Sequence, residues 1–166
     1  MTTPVRQTSV RQTTARATAS ETGPAVLQRR PPVVPAAYDL LAIARHDLGL
    51  AMSTTVATER YVAAHLAALR TAAAVLAVRT RPAATSRPRN VWSMLPQVAP
   101  ELTEWAAFFA AGAGKRSAAE AGLSRAVNAR EADDLLRDSQ TFLALVETTL
   151  GIPHQPVIPH LADRAG

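Results

Sequence analysis

Cysteine is absent from this chain of 166 residues. Its absence excludes disulfides, thiolate metal sites and cysteine nucleophiles, and it suits a reducing compartment, so we expect a cytoplasmic protein. No run approaches 18 uncharged apolar residues, and the arginine-containing N-terminus lacks the apolar segment of a signal peptide. We therefore expect no membrane-spanning helix and no membrane partner.

Aromatic residues are scarce as well: the chain has three Phe, two Trp and two Tyr, although 48% of its residues are apolar. A core with so few large side chains must come from close contact between alanine-rich helices. No stretch shows the alternation of apolar and polar residues that is typical of a β-strand. Length and composition therefore predict a single all-α domain.

Residues 59–78 lack both glycine and proline and contain eight alanines, the strongest helix former. At helical spacing their apolar side chains form one broad stripe: Tyr61, Ala64, His65, Ala68, Leu69, Ala72 and Leu76. Few charged residues interrupt this segment. The pattern predicts the central helix of an up-and-down antiparallel bundle.

Capping residues and apolar periods predict the companion helices. Ser53 to Thr55 would end the first helix and cap the central one. Asn90 and Asn128 read as N-caps, Asn128 with Glu131 in a capping box, and Gly151 as a helix stop. The predicted companions cover residues 36–52, 91–98, 100–113, a short piece at 115–121, and 129–150.

Positive charge gathers outside these helices. Residues 1–35 hold five Arg and one Glu, and residues 79–90 hold four Arg and no acid. We expect three regions: a disordered basic tail at 1–35, the bundle at 36–151 and a proline-rich C-terminal tail at 152–166. The candidate contacts for nucleic acid or another anion are Arg29, Arg30, Arg79, Arg81, Arg87 and Arg89. The alternative is that these arginines are merely solvated.

Four segments together resemble a known family: YDLLAIAR (38–45), RYVAAHLAALRTAAAVLA (60–77), APELTEWAAFFAAGAGKR (99–116) and READDLLRDSQTFLALVE (130–147). Over residues 36–151 the chain resembles an actinobacterial branch of the HEPN superfamily, the "higher eukaryotes and prokaryotes nucleotide-binding" domains. The resemblance implies an up-and-down helical bundle, frequently dimeric. Many relatives are metal-independent endoribonucleases with an Arg-x4–6-His motif, whereas others lack it and act as binding or partner modules.

In active relatives this motif lies late in the domain, where the present chain offers Arg137 but Phe142, Leu143 and Ala144 in place of a histidine. The literal match is instead Arg60 to His65, on the central helix. His65 could take the 2′-OH proton of RNA while Arg60 holds the phosphate. A five-residue step separates the two by about 140° on a straight helix. The alternative is a core histidine beside a surface arginine.

No other cluster points to a metal or cofactor. The acidic residues at the start of the last helix (Glu131, Asp133, Asp134 and Asp138) have no histidine at ligand spacing, so we interpret them as a capped, solvated helix start. The remaining histidines are His46, which we place on the surface, and His154 and His160 in the C-terminal tail. A phosphate-binding glycine loop and a nucleophile elbow are both missing.

Three functions follow. The leading prediction is a non-catalytic HEPN-type module that binds RNA, DNA, a nucleotide or a protein partner. The second is a ribonuclease that uses Arg60 and His65. The third is a structural homodimer whose tails recruit another protein. In an enzyme the Arg60–His65 pair should line an accessible cleft, whereas in a binding module His65 should be enclosed by neighbouring helices.

Overall fold

The computed structural model describes residues 33–80 and 90–160, and the described chain is helical without any strand. This confirms the predicted all-α bundle. The predicted basic tail over 1–32, the arginine loop over 81–89 and the last residues, 161–166, lie outside the described part. The helices are α1 (Pro35–Ser53), α2 (Ala57–Arg79), α3 (Val91–Val98), α4 (Thr103–Glu120) and α5 (Ala129–Leu150), with a 3-10 turn at Pro100–Leu102 before α4.

Helix α2 lies at the centre and contacts α1, α3, α4 and α5. The predicted stripe is buried except for Leu69, which is half-buried. By length and composition alone, α2 could also cross a membrane. Half of its most apolar window is buried within the bundle, and core helices of soluble bundles share this property.

Local capping chemistry sets several helix ends as predicted. The Asn90 side chain accepts from the Trp92 backbone N–H at 3.0 Å and starts α3. At α5 the capping box is complete, because Asn128 accepts from the Glu131 N–H at 2.9 Å and the Glu131 carboxylate accepts from the Asn128 N–H at 3.0 Å. Gly151, with φ of 73°, ends α5 in the left-handed conformation.

Two boundaries differ from the prediction. The residue that caps α2 is Val56, without a side-chain hydrogen bond, while Thr54 Oγ1 donates to Glu59 Oε2 at 2.7 Å. The pieces predicted at 100–113 and 115–121 are one continuous helix, α4. Gly112 does not break it, because its missing side chain lets α4 lie against α2: a Cβ there would stand 2.8 Å from the Tyr61 hydroxyl.

The described part of the C-terminal tail, residues 152–160, is held against the bundle. Ile152 is buried, and its N–H donates to the Glu147 carbonyl at 2.8 Å. The His160 ring lies edge-on to the His46 ring, with 4.4 Å between ring centres, and the Ser53 hydroxyl donates to the His160 carbonyl at 2.5 Å. This segment thus runs back along α1.

Candidate functional site

His65 is enclosed at the centre of the bundle, with 0% of its surface exposed. Helix α2 presents it to α3 and α4, where its ring packs edge-on against Trp92 and Phe109, with 5.9 and 6.1 Å between ring centres. Its Nε2 lies 2.9 Å from the Phe109 carbonyl oxygen. Because a carbonyl only accepts, Nε2 carries the proton and donates it to Phe109.

Burial lowers the pKa of the His65 imidazole below its ordinary value of 6.5. The hydrogen bond to the Phe109 carbonyl opposes this in part, the nearby Arg116 charge lowers the pKa further, and Glu120 raises it slightly. The ring is therefore neutral near pH 7. Its Nδ1 is buried and has no hydrogen-bond partner within the described chain. A general base must contact the proton that it removes. A ligand bound at the surface cannot contact this enclosed nitrogen.

Arg60 turns towards other parts of the bundle. Its Nη1 forms an ion pair with Asp133 at the start of α5, and its Nη2 donates to the Thr54 carbonyl at 2.7 Å. The guanidinium thus fixes the α1–α2 connection against α5. Arg60 and His65 share no partner, since one engages α5 and the other α4, as the helical spacing suggested.

The second candidate position for the motif, on α5 from Arg137 onwards, has no histidine that could act as a base. Arg137 is exposed and pairs with Asp134 on the same helix, while Phe142 and Leu143 are buried in the core. The ring of Phe142 contacts Phe109 and Trp105, with 5.2 and 5.3 Å between ring centres. Packed apolar side chains therefore occupy two of the three positions, 142 to 144, at which the resemblance implies a histidine.

Of the arginines predicted to contact nucleic acid, Arg79 alone is described. It pairs with Glu101 at 2.6 Å and donates to the Val98 carbonyl at 3.2 Å, which fastens the end of α2 to the end of α3 and the 3-10 turn before α4. The predicted contacts Arg29, Arg30, Arg81, Arg87 and Arg89 lie outside the described residues. The described part contains nine basic and eleven acidic residues, so its net charge is −2 with neutral histidines, although the whole chain carries +5.

Sequence reasoning missed a buried acid. Glu147 is 0% exposed, and its Oε1 accepts from Arg45 Nε at 3.0 Å and Nη2 at 2.5 Å, while its Oε2 lies 2.6 Å from His154 Nδ1. A signal was present: Glu147 stands within the apolar stripe of α5, between Leu143 and Leu150. The cluster joins α1, α5 and the C-terminal tail.

An apolar groove of about 310 Å³ runs between α1, α2 and the end of α4. Leu50, 44% exposed, forms one wall. The other apolar lining residues are Val62, Ala63, Leu66 and Ala119. Within the described residues, no three His, Asp or Glu side chains are placed to hold a metal ion.

Comparison with known proteins gives one finding. A family model for SAV_6107-like HEPN domains matches residues 51–147, more than half of the chain. Neither the curated proteins nor the solved structures contain a match. The matched region begins near the end of α1 and includes α2, α3, α4 and most of α5, so it covers both candidate positions of the Arg–His motif.

Proposed function

This chain belongs to the SAV_6107-like HEPN family, and we propose that it is a non-catalytic member that binds nucleic acid. The enclosure of His65 is the observation that carries this proposal. A metal-independent ribonuclease needs an exposed base and a cation beside one phosphate. His65 is fully buried and Arg60 is occupied by Asp133 and Thr54.

The distribution of charge supports the binding partner. The described bundle is slightly acidic, and its basic residues are mostly engaged in ion pairs. The surplus positive charge lies in residues 1–32, with five Arg and one Glu, and in residues 81–89, with three Arg and no acid. Arginine-rich segments on an acidic body suit contacts with phosphates that do not depend on base sequence.

Binding is tested with a fluorescent single-stranded RNA at several salt concentrations. We expect measurable affinity that falls with salt, and a triple variant, R81Q/R87Q/R89Q, whose plot of log K against log salt is shallower by about 2, since each lost phosphate contact removes about 0.7. The matched control is Arg125→Gln, because Arg125 is exposed and has no ion-pair partner in the described chain. Equal slopes for all three proteins would contradict the assignment of the loop.

Catalysis is tested separately by incubating mixed RNA with the protein in EDTA. We expect no cleavage. The ribonuclease alternative, with Arg60 and His65 as its catalytic pair, instead predicts cleavage that disappears in His65→Gln, a variant that keeps an N–H donor for the Phe109 carbonyl. That result would overturn the non-catalytic assignment even if RNA binding were confirmed.

A second candidate function, a homodimer that recruits another protein, is favoured by the apolar groove beside Leu50. Burying exposed apolar side chains stabilises association. If two copies meet there, sedimentation velocity at micromolar concentration should show a dimer, and Leu50→Lys should convert it to a monomer. A monomeric wild-type protein would contradict this candidate and leave nucleic-acid binding untouched.

A further inference from the structure

A second cleft, open to solvent and about 350 Å³ in volume, lies between α4 and α5. Its lining residues are Glu104, Trp105, Phe108 and Asp138. Phe108 is 46% exposed, and its ring stands edge-on to the Trp105 ring, with 6.3 Å between their centres. Two aromatic rings and two carboxylates thus meet at one accessible point.

The two carboxylates are unusual within this protein. Most of the eleven described carboxylates have an ion-pair or hydrogen-bond partner, such as Glu101 with Arg79 or Asp133 with Arg60. Those without one in the described chain are Asp39, Glu104 and Asp138. Two of these three therefore border the same cleft as the exposed aromatic pair.

The surroundings of Asp138 disfavour its negative charge, so a nearby cation would stabilise the carboxylate. Burial raises the pKa of its carboxyl, and the neighbouring Asp134 charge raises it further, against a weaker opposing effect of Arg137. A cation in the cleft would relieve both effects. Aromatic faces also attract cations, and a planar guanidinium can lie on a ring while it donates to a carboxylate.

We propose that this cleft binds the guanidinium of an arginine from the chain's own residues 1–32. That segment supplies five arginines and one glutamate, which complements the net negative charge of the described bundle. Tethering also favours it over a free ligand, since attachment to the same chain gives a high effective concentration. The proposal concerns the chain's own segment and stands independently of nucleic-acid binding.

Val33, the first described residue after the segment, lies at the end of the bundle where α4 begins. The Asp47–Arg70 ion pair and the short connection after Ser53 make α1 and α2 antiparallel, so Val33 lies near the end of α2. The Arg79–Glu101 pair places the start of α4 at that same end. Glu104 follows one helical turn later.

The segment is long enough to reach the cleft. Its arginines stand between three residues (Arg30) and twenty-seven residues (Arg6) before Val33. At roughly 3.4 Å per extended residue, these separations allow reaches from about 10 Å to about 90 Å. Neighbouring helices in a bundle lie about 10 Å apart, so several arginines can cross the end of the bundle.

The test uses the full chain, whose lack of cysteine allows a single nitroxide label at Ser20→Cys, between Arg16 and Arg29. The readout is paramagnetic broadening of the Trp105 indole N–H signal in a ¹⁵N-labelled sample, assigned with Trp105→Phe. We expect strong broadening in the labelled chain and its loss in E104Q/D138N. The matched control is Asp39→Asn, which removes the remaining unpartnered carboxylate and should leave the broadening unchanged.

A second variant addresses the arginines. Replacing all five in residues 1–32 by glutamine should abolish the broadening while the helical circular dichroism stays the same. Broadening that survives either this variant or E104Q/D138N would overturn the proposal. A mixed sample tests whether the arginine comes from a second copy: one chain carries the nitroxide but no ¹⁵N, and the other carries ¹⁵N but no nitroxide. Broadening in that sample would place the arginine on a second copy and would also overturn the proposal.

Discussion

His65 and His154 illustrate two ways in which this bundle accommodates a histidine. His65 is surrounded by aromatic rings, has no carboxylate partner and hydrogen-bonds to a backbone carbonyl. The side chain of His154 is 58% exposed and contacts the fully buried carboxylate of Glu147, which Arg45 also engages. In the first case a neutral ring is enclosed in the core; in the second, an exposed ring contacts a buried carboxylate that Arg45 pairs.

The difference divides the molecule into two regions. Around His65, helices α2, α3, α4 and α5 meet through an aromatic cluster and close backbone contact. Around Glu147, helices α1 and α5 and the C-terminal tail meet through hydrogen bonds and ion pairs. We therefore expect mutations in the first region to act mainly through packing and those in the second mainly through charge.

The largest effect is expected for Glu147→Ala. Removing one member of a buried ion pair leaves the other uncompensated, so the variant should lose about 3 to 5 kcal/mol of the free energy of unfolding. Urea denaturation checks this. The control is Glu120→Ala, which removes an exposed ion pair with Arg116 and should cost below about 1 kcal/mol. Similar losses for both variants would contradict the special cost of leaving Arg45 without its buried partner.

His65→Ala should follow, with a loss of about 2 to 4 kcal/mol, because it leaves a cavity among packed rings. His154→Ala is the comparison, since its side chain is largely exposed and Arg45 remains paired with Glu147. We expect a smaller loss for it in the same urea experiment. An equal or larger loss for His154→Ala would show that the tail contributes more than the aromatic cluster.

The helix starts and the family could be predicted from the sequence. The capping motifs at Asn90 and Asn128 depend on neighbouring residues, so the helix starts at Val91 and Ala129 followed from local rules. The family resemblance proposed from four segments is confirmed by the family match, whereas the actinobacterial origin stays a prediction. The contacts that each helix face makes were harder to predict, because they depend on which helix lies opposite.

Gly112, Glu147 and His65 make this limit concrete. Glycine disfavours a helix interior, yet Gly112 lies within α4 because a side chain there would meet Tyr61 on α2. The neighbouring residues in the sequence do not indicate this contact. No neighbouring residue signals the buried ion pair of Glu147, because its partner Arg45 lies 102 residues away in the sequence. The sequence placed His65 in the apolar stripe and left two readings open, and the position of Phe109 determines that its ring is enclosed.

A smaller effect is expected for Gly112→Ala, a test of packing in the His65 region. The added Cβ would stand 2.8 Å from the Tyr61 hydroxyl and 3.4 Å from His65 Cδ2, so rings must shift, at a cost of about 1 to 3 kcal/mol. Gly114→Ala is the matched control, because a Cβ there meets no atom within 4 Å. It should stabilise α4 by about 0.5 to 1 kcal/mol, as alanine favours helix over glycine. Thermal unfolding of both variants should give shifts of opposite sign.

The smallest effect concerns pH. Because the pKa of His65 is lowered in the folded protein, the unfolded chain binds the proton more readily at pH values below the ordinary 6.5. Stability rises with pH wherever the unfolded state holds more protons, so acidification below about pH 6.5 should reduce the free energy of unfolding, by at most about 1.4 kcal/mol per pH unit for one group. The contribution is complete above that range. Urea titrations at pH 5 to 8 on wild-type and His65→Gln proteins isolate this contribution. The difference in the free energy of unfolding between the two proteins should shrink as the pH falls. A constant difference would mean that His65 has the same pKa in the folded and unfolded protein, contrary to its enclosure.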